Sequence, residues 1–205
     1  MKKSEGISKY KLNKMAIESL RNAIRLHFDS ILLYCNKSYP SSFHLSVIAM
    51  EELSKAKWIE HYVDSSETNE GYPDVIFEQE WLRLLYFHQK KQWAFIARDM
   101  FDYSPKFRSF IENGELDKKK QDALYVGLGR KKGSIDVKSR ISTPWKIKQT
   151  DAKQCISLVN SELRNIYIKI DENECYFNIA KMDDILDLSI YHKLLDWPFK
   201  SRLKQ

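Results

Sequence analysis

The run Ala49-Met50-Glu51-Glu52-Leu53-Ser54-Lys55-Ala56 sets ionisable side chains inside a stretch that is otherwise apolar or small. A helix turns about 100° per residue, so Glu52 falls between Ile48 and Lys55 on a row that also holds Leu45, Ile59 and Tyr62. Glu51 falls to one side, where it can pair with Lys55 at the i,i+4 spacing. An exposed pair of that kind contributes about 0.3–0.5 kcal/mol. A charge aimed into a core costs several kcal/mol unless it is paired, so position decides what these residues do. Farther on, His88 and Lys91 interrupt a second apolar row of Trp81, Leu84, Leu85, Phe95 and Ile96. If the two helices pack face to face, Glu52 meets His88, Lys91 or both in a partly buried acid–base cluster. The competing reading leaves Glu51, Glu52, Lys55, Lys90 and Lys91 as solvated edges or structural pairs.

Other chemistry is poorly supported. Glu60-His61, His44 and His192 lack the spacing of a metal site, and no Gly-rich phosphate loop occurs, so neither metal nor cofactor is expected. Cys35, Cys155 and Cys175 form no Cys-x-x-Cys pair. Lys118-Lys119-Lys120 and Arg130-Lys131-Lys132 offer cations around Tyr125 that could contact RNA phosphate or a partner; the other reading is a solvated loop.

The elements that must position these residues follow from periodicity. With 205 residues, 43% of them hydrophobic and 30% charged, the chain can bury a sizeable core, and one domain is expected. Six glycines and five prolines favour long helices over many short strands. Leu12, Ala16, Leu20, Ala23, Ile24, His27, Phe28, Ile31 and Cys35 mark a helix over residues 8–35, closed before Pro40. Ser41 or Ser42 would cap a second helix to about Val63, and a third would run from Phe77 to Tyr103. Those three form the expected core, residues 8–103. In an insertion over 104–149, Ala123–Val126 and Ser134–Val137 read as strands of a small β-hairpin with a basic tip. Thr150 would cap a fourth long helix, and a shorter one is expected from Lys181 to Leu195, completing the segment 150–205. The net charge of +6 is compatible with an anionic partner. The start lacks the apolar run of a signal peptide, and no stretch is long and apolar enough to span a membrane, so a cytoplasmic protein is expected.

The passage from Tyr39 to Ala56 resembles the AbiV family of bacterial abortive-infection proteins, in which a tyrosine-containing turn leads into a helix bearing alanine, two glutamates, a small residue and lysine. Phe87-His88-Gln89-Lys90-Lys91 is similar to that family's His-x-x-Lys element. Ala123-Leu124-Tyr125-Val126, with Thr143-Pro144 downstream, resembles its Leu-Tyr-Val segment and following proline. The chain departs from the pattern at Ser54, where glycine is common, and at Gly127, where an acidic residue often follows.

The resemblance implies an all-α, HEPN-like antiparallel bundle, homodimers, and a role in arresting phage production. The implied target is translation or RNA, with a phage-encoded protein as the trigger. Many HEPN proteins are metal-independent ribonucleases with an Arg-x(4–6)-His motif, and Arg21 and His27 match it in letters. Arginine would hold phosphate while histidine assists the ribose 2′-hydroxyl. Six residues separate the two, about 240° around a helix, so one chain presents them poorly together. An endoribonuclease using that pair, or the cluster around His88, is the alternative to the effector.

Overall fold

The computed structural model describes residues 6–69, 71–97, 99–131, 134–171 and 187–204. The architecture is mainly helical. Helix α1 (Lys9–Cys35) begins at Ser8, whose hydroxyl accepts from the Lys11 amide, and buries Leu12, Ala16, Leu20, Ala23, Ile24 and His27 at the expected spacing. It ends at a turn in which Lys37 takes a positive φ. Helix α2 (Tyr39–Thr68) starts earlier than expected, with Ser38 at its N-cap and Pro40 in its first turn. Proline is tolerated there because those amides have no intrahelical partner. Ser42, expected as a cap, is buried instead and donates to the Ser30 carbonyl at 2.7 Å, tying α2 to α1.

The expected third helix is two. Helix α3 (Val75–Leu84) is capped by Asp74, which accepts from the Ile76 and Phe77 amides. Three consecutive i→i−3 bonds, from the amides of Leu85, Tyr86 and Phe87, then tighten the chain before α4 (His88–Ala97). No glycine or proline marks this break. Leu85 is fully buried while Tyr86 and Phe87 face out, so the bend is fixed by what Leu85 packs into.

The segment 104–149, expected as loop and hairpin, holds two further helices. Ser104 caps α5 (Pro105–Glu112), and Gly114, at φ +70°, opens α6 (Glu115–Asp122). Ala123, expected to begin a strand, closes α6. The hairpin lies later: β1 (Arg130–Lys131) pairs antiparallel with β2 (Ser134–Ile135), and Gly127 bridges Ser142. Helix α7 (Gln149–Asp171) follows, starting one residue before the expected Thr150, and α8 (Leu188–Leu195) falls within the shorter helix expected there. Residues 172–186, with Cys175 and the start of that expected helix, lie outside the described residues.

Helix α2 is central. It packs on α1, α7, α4 and α6, so the bundle core is built by α1, α2 and α7 rather than by residues 8–103 alone. Phe43, Val47, Ala49, Met50, Leu53, Ala56 and Ile59 are all buried, spread around most of its circumference. A helix covered on several sides has no single apolar stripe from which its inward row can be read. Among the described residues, no helix is long and apolar enough to cross a membrane.

Candidate functional site

The wide buried arc of α2 turns Glu51, not Glu52, into the interior. Val47, Glu51 and Ser54 share a face, and the Glu51 side chain is 1% exposed. Its carboxylate is met from two other helices. From α4, His88 Nδ1 donates to Oε2 at 2.6 Å and Gln92 Nε2 donates to Oε1 at 2.8 Å, with Lys91 Nζ 3.7 Å from Oε2. From α6, Lys120 Nζ donates to Oε1 at 2.7 Å and lies 2.9 Å from Asp117 Oδ1. The bend at 85–87 makes this possible, because it starts α4 at His88 and aims His88, Lys91 and Gln92 at one carboxylate. An ionised group so buried is tolerable only with partners of this kind.

The expected cluster is therefore partly rearranged. Glu51, Glu52, His88 and Lys91 come together, but Glu52 sits at the margin, its Oε1 3.9 Å from Lys91 Nζ and its Oε2 3.5 Å from Asn22 Nδ2. Lys55 is not part of it; its ammonium lies over the Tyr86 ring, 5.4 Å from the centroid. Lys120, Asp117 and Gln92 were not anticipated. Leu116, Lys120 and Ala123 recur at helical spacing, an apolar row broken by a cation, which is the signal that singled out residues 51–55. It went unread because α6 is so polar that Lys118-Lys119-Lys120 resembles a solvated loop. In the structure only Lys118 is solvated: Lys119 pairs with Asp151 at 2.7 Å, and Lys120 is buried.

His88 is the open member, with a side chain 53% exposed. Beside it His44 donates from Nδ1 to the Lys120 carbonyl at 3.0 Å. Burial holds the His44 imidazole below its ordinary pKa, with the Lys120 charge acting in the same sense. Donor atoms of Glu51, His88 and Asp117 lie within 4.8 Å of one another, close enough to share a metal ion. Lys120 already supplies positive charge to both carboxylates, so a metal would compete with a buried ammonium.

Arg21 and His27 are not brought together. Arg21 is exposed and pairs with Glu18. His27 is fully buried, its Nε2 2.9 Å from Asn160 Oδ1 on α7. Asn160 Nδ2 donates to the Leu194 carbonyl, so Oδ1 is the acceptor and Nε2 carries the proton. Burial pushes the His27 imidazole down to about 4. It is a neutral core histidine fastening α1 to α7, out of reach of substrate. Of the residues considered for RNA or partner contact, Tyr125 is exposed. The backbones of Arg130 and Lys131 form β1, while their side chains and the whole of Lys132 lie outside the described residues.

No match was found among curated proteins or among solved structures. The family model described as AbiV, of the HEPN group, matches residues 11–164, about three quarters of the chain, a span that takes in α1 from its third residue, all of α2 to α6 and every residue of the Glu51 cluster. The chain belongs to the AbiV family, whose members act in abortive infection, a bacterial defence against phage.

Proposed function

We propose that the protein is a cytoplasmic effector of abortive infection, held inactive as a homodimer until a phage-encoded protein binds it. Once active, it arrests phage production by interfering with translation or RNA. The observation supporting this reading is the Glu51 carboxylate, which ties α2, α4 and α6 at one point and reaches the surface only through its ligand His88. A buried carboxylate that joins three helices and is open at one half-exposed imidazole gives a binding partner a place to act on their packing. The test is phage plating with and without the gene, combined with pulse-labelling of proteins after infection. Reduced plating together with loss of late phage protein synthesis supports the reading; unchanged plating across several phages opposes it.

A second reading, a metal-independent endoribonuclease, is favoured by one feature of the same cluster. With Nδ1 committed to Glu51, His88 Nε2 is the nitrogen that would exchange a proton with a ribose 2′-hydroxyl. Lys91, 3.7 Å from that carboxylate, places positive charge nearby for phosphate. Purified protein incubated with total RNA in EDTA, with and without infected-cell extract, separates the two. Cleavage lost in His88→Ala supports the enzyme, and no cleavage under any condition removes it.

A further inference from the structure

The net charge of this chain resides in one segment. Residues 124–148 carry seven Lys and Arg against one Asp, a net of +6, equal to the net charge of all 205 residues. Everything else balances. The same segment exposes large apolar side chains: Trp145 is 85% exposed and Tyr125 63%, with Val126, Val137 and Ile141 also facing solvent. Its described residues are tied together across the hairpin. Gly127 and Ser142 exchange backbone hydrogen bonds of 3.2 and 2.8 Å, the Gly129 amide donates to Ser139 Oγ at 2.6 Å, and Ile147 anchors the far end in the core. Tyr125 and Trp145 flank the isolated Gly127–Ser142 bridge on the side away from the hairpin tip. Lys138, Arg140, Lys146 and Lys148 are exposed on the stretch that follows β2.

We propose that this segment is a binding surface for single-stranded RNA. Exposed aromatic rings offer faces on which unstacked bases can lie, and the flanking cations match the phosphates between those bases. A duplex keeps its base faces stacked, so it would use the charge but not the rings. This deepens the RNA-directed reading above, yet its test involves neither phage nor cleavage, so either can fail alone.

The experiment is fluorescence anisotropy of the full chain with a labelled 12-nucleotide single-stranded RNA, with the matching duplex and a poly-glutamate peptide as comparators. Four phosphate contacts give a log–log salt slope of about −2.8, or roughly 50-fold weaker binding between about 50 and 200 mM salt. Lys138→Ala with Arg140→Ala should cut that loss to about 7-fold. Trp145→Ala, at a position too exposed to disturb the core, should weaken RNA binding about 5- to 100-fold while leaving poly-glutamate binding unchanged. Absence of RNA binding overturns the proposal. So does poly-glutamate binding as tightly as RNA, which would make the segment a dock for acidic protein. Light scattering in which Trp145→Ala dissolves a dimer, with RNA binding unaltered, would assign the surface to a second copy of the chain.

Discussion

Replacing Lys120 with methionine tests whether the buried carboxylate truly depends on its partners. The Lys120 side chain is 2% exposed, and its ammonium stands 2.7 Å from Glu51 and 2.9 Å from Asp117. At an effective dielectric of about 20, each contact amounts to about 6 kcal/mol of gross attraction, much of it offset by desolvation of the three charges. Removing the ammonium returns none of the desolvation cost of Glu51 and leaves Lys91, at 3.7 Å, as its counter-charge, with His88 and Gln92 as hydrogen-bond donors. Lys120→Met should therefore cost about 3–5 kcal/mol, the range for breaking a buried pair from one side. In a chain of this length that is a fall in Tm of about 6–20 °C. Glu51→Gln in the same background removes the stranded charge and should recover a large part of the loss, giving a coupling energy of at least about 2 kcal/mol. Urea unfolding followed by circular dichroism, for wild type, both single variants and the double, closes the cycle. A cost below about 1 kcal/mol for Lys120→Met, with additive effects in the double variant, would show the pair behaving as a surface one and refute the reasoning.

Two buried groups should divide the acid limb of the stability curve. His27 has a folded pKa of about 4 against an ordinary 6.5, so between those values the unfolded chain binds more protons and stability falls as pH drops. The difference is about 3 kcal/mol by pH 4, and His27→Gln should flatten that part of the curve in pH-dependent urea titrations. Burial alone would raise the Glu162 carboxyl, but Lys57 at 2.5 Å and Lys204 at 3.4 Å outweigh it and hold the group below its usual value of 4.5. Its contribution is complete above pH 4.5 and lost as pH falls through the lowered value, so Glu162→Gln should lower stability throughout the range above pH 4.5 and flatten only the most acid part of the curve. Gly114→Ala should lose about 1–2 kcal/mol in thermal unfolding, because alanine at φ +70° is strained and its Cβ would lie 2.6 Å from Gln89 Nε2. Adding Gln89→Ala should relieve only the steric part.

Helix α1 was readable from Leu12 to His27, where its periodicity survives in the sequence; past His27 the buried side turns to Ser30 and Tyr34, and Cys35, expected inside, is exposed. Helix α2 was not, although its existence and its charges were visible; it starts before the expected Ser41 and runs on to Thr68, past the expected Val63. Neighbours on several sides erase the contrast that tells Glu51 from Glu52, and one residue of helical rotation decides which is buried. The break at Leu85–Phe87 leaves no local mark because it is imposed by the pocket that receives Leu85. Lys120 was hidden by composition, in a short and very polar helix whose buried row holds little more than Leu116, Lys120 and Ala123. Arg21 and His27 show the reverse error. Their letters fit a catalytic motif, but Asn160, 133 positions from His27, fixes that histidine as a core residue.

Phage resistance in cells carrying His88→Ala, at matched protein level, bears most directly on whether the Glu51 cluster serves defence. His88 is half exposed and Glu51 keeps Gln92, Lys91 and Lys120 without it, so the variant should lose less stability than Lys120→Met and stay folded. Plating efficiency should rise at least about tenfold toward that of cells lacking the gene. Resistance undiminished by the change would contradict it.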